Sequence, residues 1–153
     1  MKVSEIMTTE VMTVKRETSV NEVAQLMGAH DISGVPVVDD DHHVVGIITE
    51  LDLIVRNTRM EMPRFIEVLD WGKIPLERPG HAQERLQHML GTRAADIMTE
   101  KVETIGPDAA VEDLAELMVK RRVNPVPVVD DNARLIGIVS RADLVDMMAE
   151  QLE

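Results

Sequence analysis

Two short stretches of the chain combine a glycine, a hydroxyl and a carboxylate at the same spacing. They read GIITELD over Gly46–Asp52 and GIVSRAD over Gly137–Asp143. In each, the apolar run predicts a strand, and the Thr or Ser after it predicts a helix N-cap with an Asp in the first turn. Free N–H groups at such a helix start favour anions, and a carboxylate can accept two hydrogen bonds from a ribose diol. The pattern therefore predicts a sugar or phosphate site, with the glycine allowing the ligand close to the backbone.

The alternative for either stretch alone is purely structural. Thr49 and Ser140 would then be ordinary helix caps, and Asp52 and Asp143 ordinary first-turn acids that suit the helix dipole. Two matching copies in one chain favour the binding interpretation.

The two stretches belong to a repeat of 91 residues. From Ile6 to Leu53, 19 of 48 residues are identical to the residue 91 positions later, without a gap. Such self-similarity indicates two copies of one structural unit. Because a unit of about 60 residues buries a small fraction of its surface and is only marginally stable alone, the two copies are expected to pack on each other.

Each repeat reads as β-α-β-β-α. The helix is predicted from Val20, Val23, Ala24 and Met27, with Ser19 as its cap, and its copy over Val111–Met118 is predicted to be capped by Asp108. Short β-branched runs predict the strands, which are Val11–Val14, Val35–Val38 and Val44–Ile48 in the first repeat and Val102–Ile105, Val126–Val129 and Leu135–Val139 in the second.

Composition excludes several function classes. The chain has no cysteine and no sequence motif of a P-loop or a serine nucleophile, so the sequence predicts no enzyme. No apolar run reaches the roughly 18 residues of a membrane helix, and the sequence predicts a cytoplasmic protein without a membrane partner. Asp39–His43 has the residue types of a metal cluster, but its copy Asp130–Arg134 reads as a turn, and we interpret both as turns.

Residues 57–91 are not repeated and read as a structured, partly helical connector. The net charge of −12 divides into −7 over residues 1–55, +2 over residues 56–94 and −7 over residues 95–153. Nucleic-acid binding needs a basic face, and only the connector offers one, with acids interspersed. The sequence therefore argues against a nucleic-acid partner.

The V-P-V-V-D strand and the G-h-h-[ST]-x-x-D ending, both present twice, resemble a tandem CBS-domain pair, also called a Bateman module. The resemblance implies an α/β fold with two CBS repeats, at residues 1–56 and 92–153, that pack pseudo-symmetrically on each other and are joined by the partly helical connector. It also implies an adenosyl ligand (AMP, ADP, ATP or S-adenosylmethionine) in the cleft between the repeats, with Mg²⁺ as a counterion where the ligand is a polyphosphate.

The candidate ligand-binding residues are those that match the family's cleft. They are Thr8, Val11, Met12, Ile32, Ser33, Gly34, Pro36, Thr49, Asp52, Thr99, Val102, Glu103, Arg121, Arg122, Val123, Asn124, Pro125, Pro127, Ser140 and Asp143. The sequence leaves open whether Thr8–Met12 or Thr99–Glu103 faces a given aspartate.

The two clefts are expected to differ in charge. The second repeat has Arg121-Arg122 where the first has His30-Asp31. Arginine binds phosphate bidentately, so the cleft with Arg121 and Arg122 is expected to take AMP or ATP. The cleft with Asp31 is expected to be empty or to take an uncharged or cationic adenosyl ligand. In the alternative, the two arginines only end a helix.

These patterns together predict a regulatory module that changes conformation or partner binding when an adenosyl ligand binds. The resemblance also implies a homodimer held by the apolar faces of the helices, and a protein target that the sequence does not identify. The alternative is a structural or dimerisation pair with a degenerate cleft that acts through protein partners.

Overall fold

The computed structural model describes residues 1–59 and 92–152, and the side chains of residues 55–59 lie outside that description. After a 3₁₀ turn at Val3–Glu5, the first repeat contains α1 (Val20–His30), β1 (Gly34–Val38), β2 (Val44–Thr49) and α2 (Glu50–Arg59). The second contains α3 (Ala94–Ile97), α4 (Val111–Arg121), β3 (Val126–Val129), β4 (Leu135–Val139) and α5 (Arg141–Gln151). The α/β architecture predicted from the repeat is confirmed.

Each repeat forms a two-stranded antiparallel hairpin. In β1–β2, Val35 pairs with Ile48, and in β3–β4 Val126 pairs with Val139. Both hairpins change register near the acidic turn, at Val37/Val38 and Val128/Val129. A bulge at the same place in both copies indicates that the turn sequence sets it.

Two sequence predictions about local structure were wrong. Val11–Val14 and Val102–Ile105 are not strands; only Val14 and Ile105 form a bridge, each to the middle of the adjacent hairpin. Asp108 does not cap α4, whose N-cap is Ala110 without a side-chain bond. Asp108 instead lies 3.3 Å from Lys2 Nζ, and the carbonyl of Met1 accepts the free N–H of Val111 at 3.1 Å.

The start of each repeat is bound to the hairpin of the other repeat. Thr8 and Ile138 exchange two backbone hydrogen bonds, at 2.9 and 3.0 Å, and Thr99 and Ile47 exchange two at the same distances. The segment before α1 thus pairs with the hairpin of the second repeat, and the segment before α4 pairs with the hairpin of the first. We call these two the crossed segments. Neither hairpin is complete without a segment from the other copy.

The hydrophobic cores are crossed in the same way. One core packs Val23, Met27 and Ile48 of the first repeat against Ala94 of the second. The other packs Leu114, Met118 and Val139 of the second repeat against Val3 of the first. Each repeat therefore completes its buried core, which stabilises the fold, with a side chain from the other repeat.

The predicted connector, residues 57–91, lies outside the described residues except where α2 continues to Arg59. Its predicted partly helical structure therefore stays a prediction. Arg93, a member of the predicted basic face, donates from its guanidinium to the carbonyl of Glu17 at 2.8 Å. Among the described residues, no helix is both long and apolar enough to cross a membrane.

The crossed packing makes Gly137 a position that a methyl group should disturb. A Cβ there would lie 2.5 Å from Sδ and 2.9 Å from Cγ of Met7. We expect Gly137→Ala to lower the free energy of unfolding by about 1–3 kcal/mol, because Met7 is held in the core and must move. Denaturant unfolding measures the change.

The matched control is Gly28→Ala in α1, where a Cβ would meet no atom within 4 Å. Because Ala favours a helix over Gly, this change should raise stability by about 0.5–1 kcal/mol. Equal effects of the two substitutions would contradict the crossed packing at Met7.

Candidate functional site

A cavity of about 510 Å³ lies between the repeats. Its first wall comes from the crossed segment Thr8–Met12 and from residues 31–34, which join α1 to β1. Its second wall comes from the end of β4 and the first turn of α5, residues Ser140–Asp143. The volume lies within the usual range for small-molecule pockets, and both repeats line it.

Backbone bonding decides which segment faces which aspartate. Because Thr8 pairs with Ile138, the segment Thr8–Met12 runs beside the end of β4 and faces Ser140 and Asp143. By the same pairing of Thr99 with Ile47, the segment Thr99–Glu103 runs beside Thr49 and Asp52.

The Asp143 carboxylate is fixed at the cavity by the first turn of α5. Its Oδ2 accepts hydrogen bonds from Ser140 N at 2.6 Å and from Ser140 Oγ at 3.0 Å. In return, Ser140 Oγ accepts from Asp143 N at 3.4 Å. This capping box leaves the Oδ1 atom without a hydrogen bond within the described residues, so it is available to a ligand.

Asn124 connects the two walls. Its Oδ1 accepts from the backbone N of Arg141 at 2.9 Å, and its Nδ2 donates to Ser33 Oγ at 3.5 Å. Arg141 is the first residue of α5, so Asn124 fixes the start of the helix that carries Asp143. In the first repeat the equivalent N–H, of Glu50, donates to the carbonyl of Ser33 at 3.0 Å.

Half of the sequence-predicted residues line this cavity. They are Thr8, Val11, Met12, Ile32, Ser33, Gly34, Asn124, Pro125, Ser140 and Asp143. Thr49 and Asp52 repeat the Ser140–Asp143 geometry, since Asp52 Oδ2 accepts from Thr49 N at 2.9 Å and Thr49 Oγ1 at 3.1 Å. Thr49, Asp52, Thr99, Val102, Glu103, Arg122 and Val123 do not line the cavity, but each is the repeat copy of a residue that does. Arg121 is the copy of His30, which does not line it.

Two prolines on the predicted site do not line the cavity. Pro36 and Pro127 are fully buried in β1 and β3. Their carbonyls accept from Val14 N and Ile105 N, both at 3.1 Å. Each proline carbonyl therefore binds the segment before α1 or α4 to the hairpin of the same repeat.

The structure gives the two motif glycines a role different from the one that we expected. We expected Gly46 and Gly137 to let a ligand approach the backbone. The structure places the side chains of Met98 and Met7 against them. Each glycine leaves room for a methionine side chain that comes from the other repeat. Because both repeats make this contact, both have the glycine.

A family model for the CBS domain matches residues 3–56 and 94–150. This chain belongs to the CBS-domain family. A relative from Methanocaldococcus jannaschii, the uncharacterized protein MJ1426, is 33% identical over 144 residues, covering 88% of this chain and 84% of its own. A CBS domain-containing protein of Dictyostelium discoideum is 28% identical, with coverage of 99% and 93%.

Solved CBS pairs have the same fold. The CBS domain pair of protein MJ0100, in complex with 5′-methylthioadenosine and S-adenosyl-L-methionine, superposes with a TM-score of 0.73 at 27% identity, covering 99% of this chain and 98% of that one. CBSX2 in complex with AMP superposes with a TM-score of 0.75 at 24% identity, with the same coverage. The second likeness concerns the fold alone.

Six residues outside the predicted set also line the cavity between the CBS repeats. They are Glu10, Asp31, Glu50, Ile138, Arg141 and Ala142. Most were open to prediction, because Glu50, Arg141 and Ala142 occupy the unspecified positions of the repeated motif and Glu10 lies between two predicted residues. Asp31 follows α1 in a left-handed conformation, with φ 50° and ψ 48°, which brings its side chain to the cavity.

The arginine pair of the second CBS repeat is divided between two environments. Arg121 Nε lies 3.7 Å from Glu103 Oε1, and both side chains are largely exposed. An exposed pair of this kind contributes little to stability. Arg122 takes the left-handed position after α4, with φ 53° and ψ 47°, equivalent to Asp31.

The acidic turns are structural. Asp39, Asp41 and His43 bring possible metal-ligand atoms within 4.8 Å of one another. However, Asp39 Oδ1 accepts from Asp41 N and His43 N, and Asp130 Oδ1 makes the same bonds to Asn132 N and Arg134 N. The bond from His43 N is the main reason that the pKa of Asp39 lies below its ordinary value. Both copies thus form the turn predicted from sequence.

Proposed function

We propose that this chain is a regulatory module that binds an adenosyl ligand between its CBS repeats and responds by changing their relative arrangement. The observation that carries the proposal is the position of Asp143. Its carboxylate lies in the wall of a cavity that both repeats form, and Ser140 fixes its orientation.

The chemistry of the walls suits a nucleoside. A ribose diol can donate to the Oδ1 atom of Asp143 in a charge-assisted hydrogen bond. Val11, Met12, Ile32, Pro125 and Ile138 provide apolar surface for the base. The sequence has one phenylalanine, one tryptophan and no tyrosine, so aliphatic side chains and backbone groups would hold the adenine.

The likeness to the MJ0100 pair supports an adenosyl ligand over other nucleosides. That protein was solved with 5′-methylthioadenosine and S-adenosyl-L-methionine, and the repeats of this chain have the same arrangement. Asp52, with Thr49, offers an equivalent ribose position in the second cleft.

The mechanism follows from the composition of the cavity. A ligand that contacts Thr8–Met12 of one repeat and Ser140–Asp143 of the other binds best when the two walls are at one separation. It therefore stabilises that arrangement relative to others, in proportion to its difference in affinity between them. A protein target then distinguishes the occupied arrangement from the empty one.

Calorimetric titration with adenosine tests the ligand proposal. We expect Asp143→Ala to weaken binding about 10- to 100-fold, because it removes charge-assisted hydrogen bonds to the ribose. Asp146→Ala, an exposed aspartate on the same helix that does not line the cavity, is the control and should leave binding unchanged. Asp52→Ala reports the second cleft separately.

A ligand lacking both ribose hydroxyls provides the second arm. 2′,3′-Dideoxyadenosine should bind wild type and Asp143→Ala with nearly the same affinity, because the deleted groups are partners. An equal loss for both ligands would contradict the ribose role. A folded wild-type protein that binds no adenosyl compound would favour the structural pair that acts through protein partners.

We further propose that α2 and α5 bind a second copy of the chain. Large apolar side chains are exposed at the same repeat position on both helices, 59% for Ile54 and 62% for Val145. Leu51 lies one helical turn from Ile54, and Met148 lies one turn from Val145. Both side chains are exposed. Exposed apolar side chains grouped in this way on a helix surface are typical of protein interfaces.

Sedimentation velocity tests the dimer. Ile54→Lys combined with Val145→Lys should raise the dimer dissociation constant at least tenfold, because each lysine must lose its hydration in the interface. Val119→Lys is the control, since Val119 is 78% exposed on α4 and outside the proposed surface. A monomeric wild type, or a dimer that only Val119→Lys breaks, would contradict the proposal.

A further inference from the structure

The cavity at Asp143 is predominantly acidic. Among the described residues that line it, four are carboxylates (Glu10, Asp31, Glu50 and Asp143) and one is a guanidinium, Arg141. If Asp143 binds the ribose, the other charges determine which substituent on the sugar can be accommodated. An anion would meet Glu10 and Asp31 on the first wall.

The repeat symmetry relates this cavity to a second cleft beside Asp52, and at the corresponding positions the sequence reverses two of the charges. The residues 91 positions after Glu10 and Asp31 are Lys101 and Arg122. Glu50 and Arg141 are equivalent to each other, so the repeat symmetry places both beside each cleft and their summed charge is the same in the two. The difference between the clefts therefore comes from positions 10 and 31 and their copies.

The backbone makes the comparison of Asp31 with Arg122 valid. Both residues follow an 11-residue helix and have left-handed angles within 3° of each other. Their side chains therefore leave the backbone in the same direction relative to their own cleft. Within the described residues Arg122 has no ion pair, whereas its neighbour Arg121 is paired with Glu103.

We propose that the two clefts sort adenosyl ligands by the charge of the 5′ substituent, with Asp31 and Arg122 as the residues that set the preference. The cleft of Asp31 and Asp143 takes a cationic or uncharged substituent, such as the sulfonium of S-adenosylmethionine. The cleft of Arg122 and Asp52 takes a 5′-phosphate. The inference rests on the proposed adenosyl function.

The size of the effect follows from Coulomb's law. Replacing Asp31 by Arg changes the local charge by two units. At about 6–8 Å, and an effective dielectric constant between those of protein and water, this corresponds to roughly tenfold in affinity for a singly charged substituent. Because salt screens such distances, the preference should be largest at low ionic strength and diminish near 0.5 M salt.

The experiment is a calorimetric titration of the full chain with S-adenosylmethionine, adenosine and AMP at low salt. We expect Asp31→Arg to weaken S-adenosylmethionine about tenfold, leave adenosine within twofold and strengthen AMP. Arg122→Asp should weaken AMP about tenfold and leave the affinity of the cleft beside Asp143 for S-adenosylmethionine unchanged. Asp131→Arg controls for net charge, since Asp131 lies in the turn after β3, at the far end from the cavity.

The substitutions are compatible with the fold because the chain already has an aspartate at one of these left-handed positions and an arginine at the other. Asp31→Asn, a residue that tolerates this conformation, provides a milder version with an expected loss of about threefold for S-adenosylmethionine. Circular dichroism checks that each variant is folded.

The outcomes separate the two levels of the proposal. If Asp31→Arg changes all three ligands equally, or Asp131→Arg has the same effect, charge sorting is overturned while adenosyl binding stands. If Asp52→Ala rather than Asp143→Ala abolishes binding of S-adenosylmethionine, the assignment of clefts is overturned. If wild type does not bind adenosine, both proposals fail.

Discussion

The exchange of backbone hydrogen bonds between Thr8 and Ile138, and between Thr99 and Ile47, is the interaction on which the rest of the structure depends. It commits the first residues of each repeat to the hairpin of the other. The cores follow, because Val3 and Ala94 are buried in the opposite repeat. The cavity follows too, because the crossed segment is its first wall.

This arrangement explains why a ligand could control the module. The cavity has one wall on a segment of the first repeat and the other wall at the start of a helix of the second repeat. Asn124 joins the walls through Ser33 and Arg141, close to the repeat axis. A small molecule between the walls therefore acts on the contact that holds the repeats together.

Much of the fold could be predicted because it depends on local chemistry that occurs twice. Ser19 accepts from Glu22 N at 3.2 Å, as its position before the helix suggested. The hairpins lie where the β-branched runs are, and the turns where the aspartates are. The predictions that failed depended on contacts between residues that are distant in sequence. Asp108 has the residue type of a cap, but the carbonyl of Met1 accepts the hydrogen bond from the first N–H of α4. Asp108 instead pairs with Lys2.

The candidate site shows the same division. The motif residues could be recognised from sequence. However, both copies of a repeat have the same motifs, so the sequence allows the segment that begins at Thr8 or the one that begins at Thr99 to face either aspartate. Only the bonds of Thr8 and Thr99 decide between the two. The sequence predicts that Asp31 makes one cleft acidic, but only the structure shows that Asp31 lines the same cavity as Asp143, which it reaches because α1 ends in a left-handed residue.

A crystal structure of the protein with adenosine bound tests the central claim most directly, namely that one ligand is held by both repeats. The account predicts ribose hydroxyls within about 2.6–3.2 Å of the Asp143 carboxylate and the base against the segment Val11–Met12 of the other repeat. Adenosine bound to one repeat alone, or away from both aspartates, would contradict it.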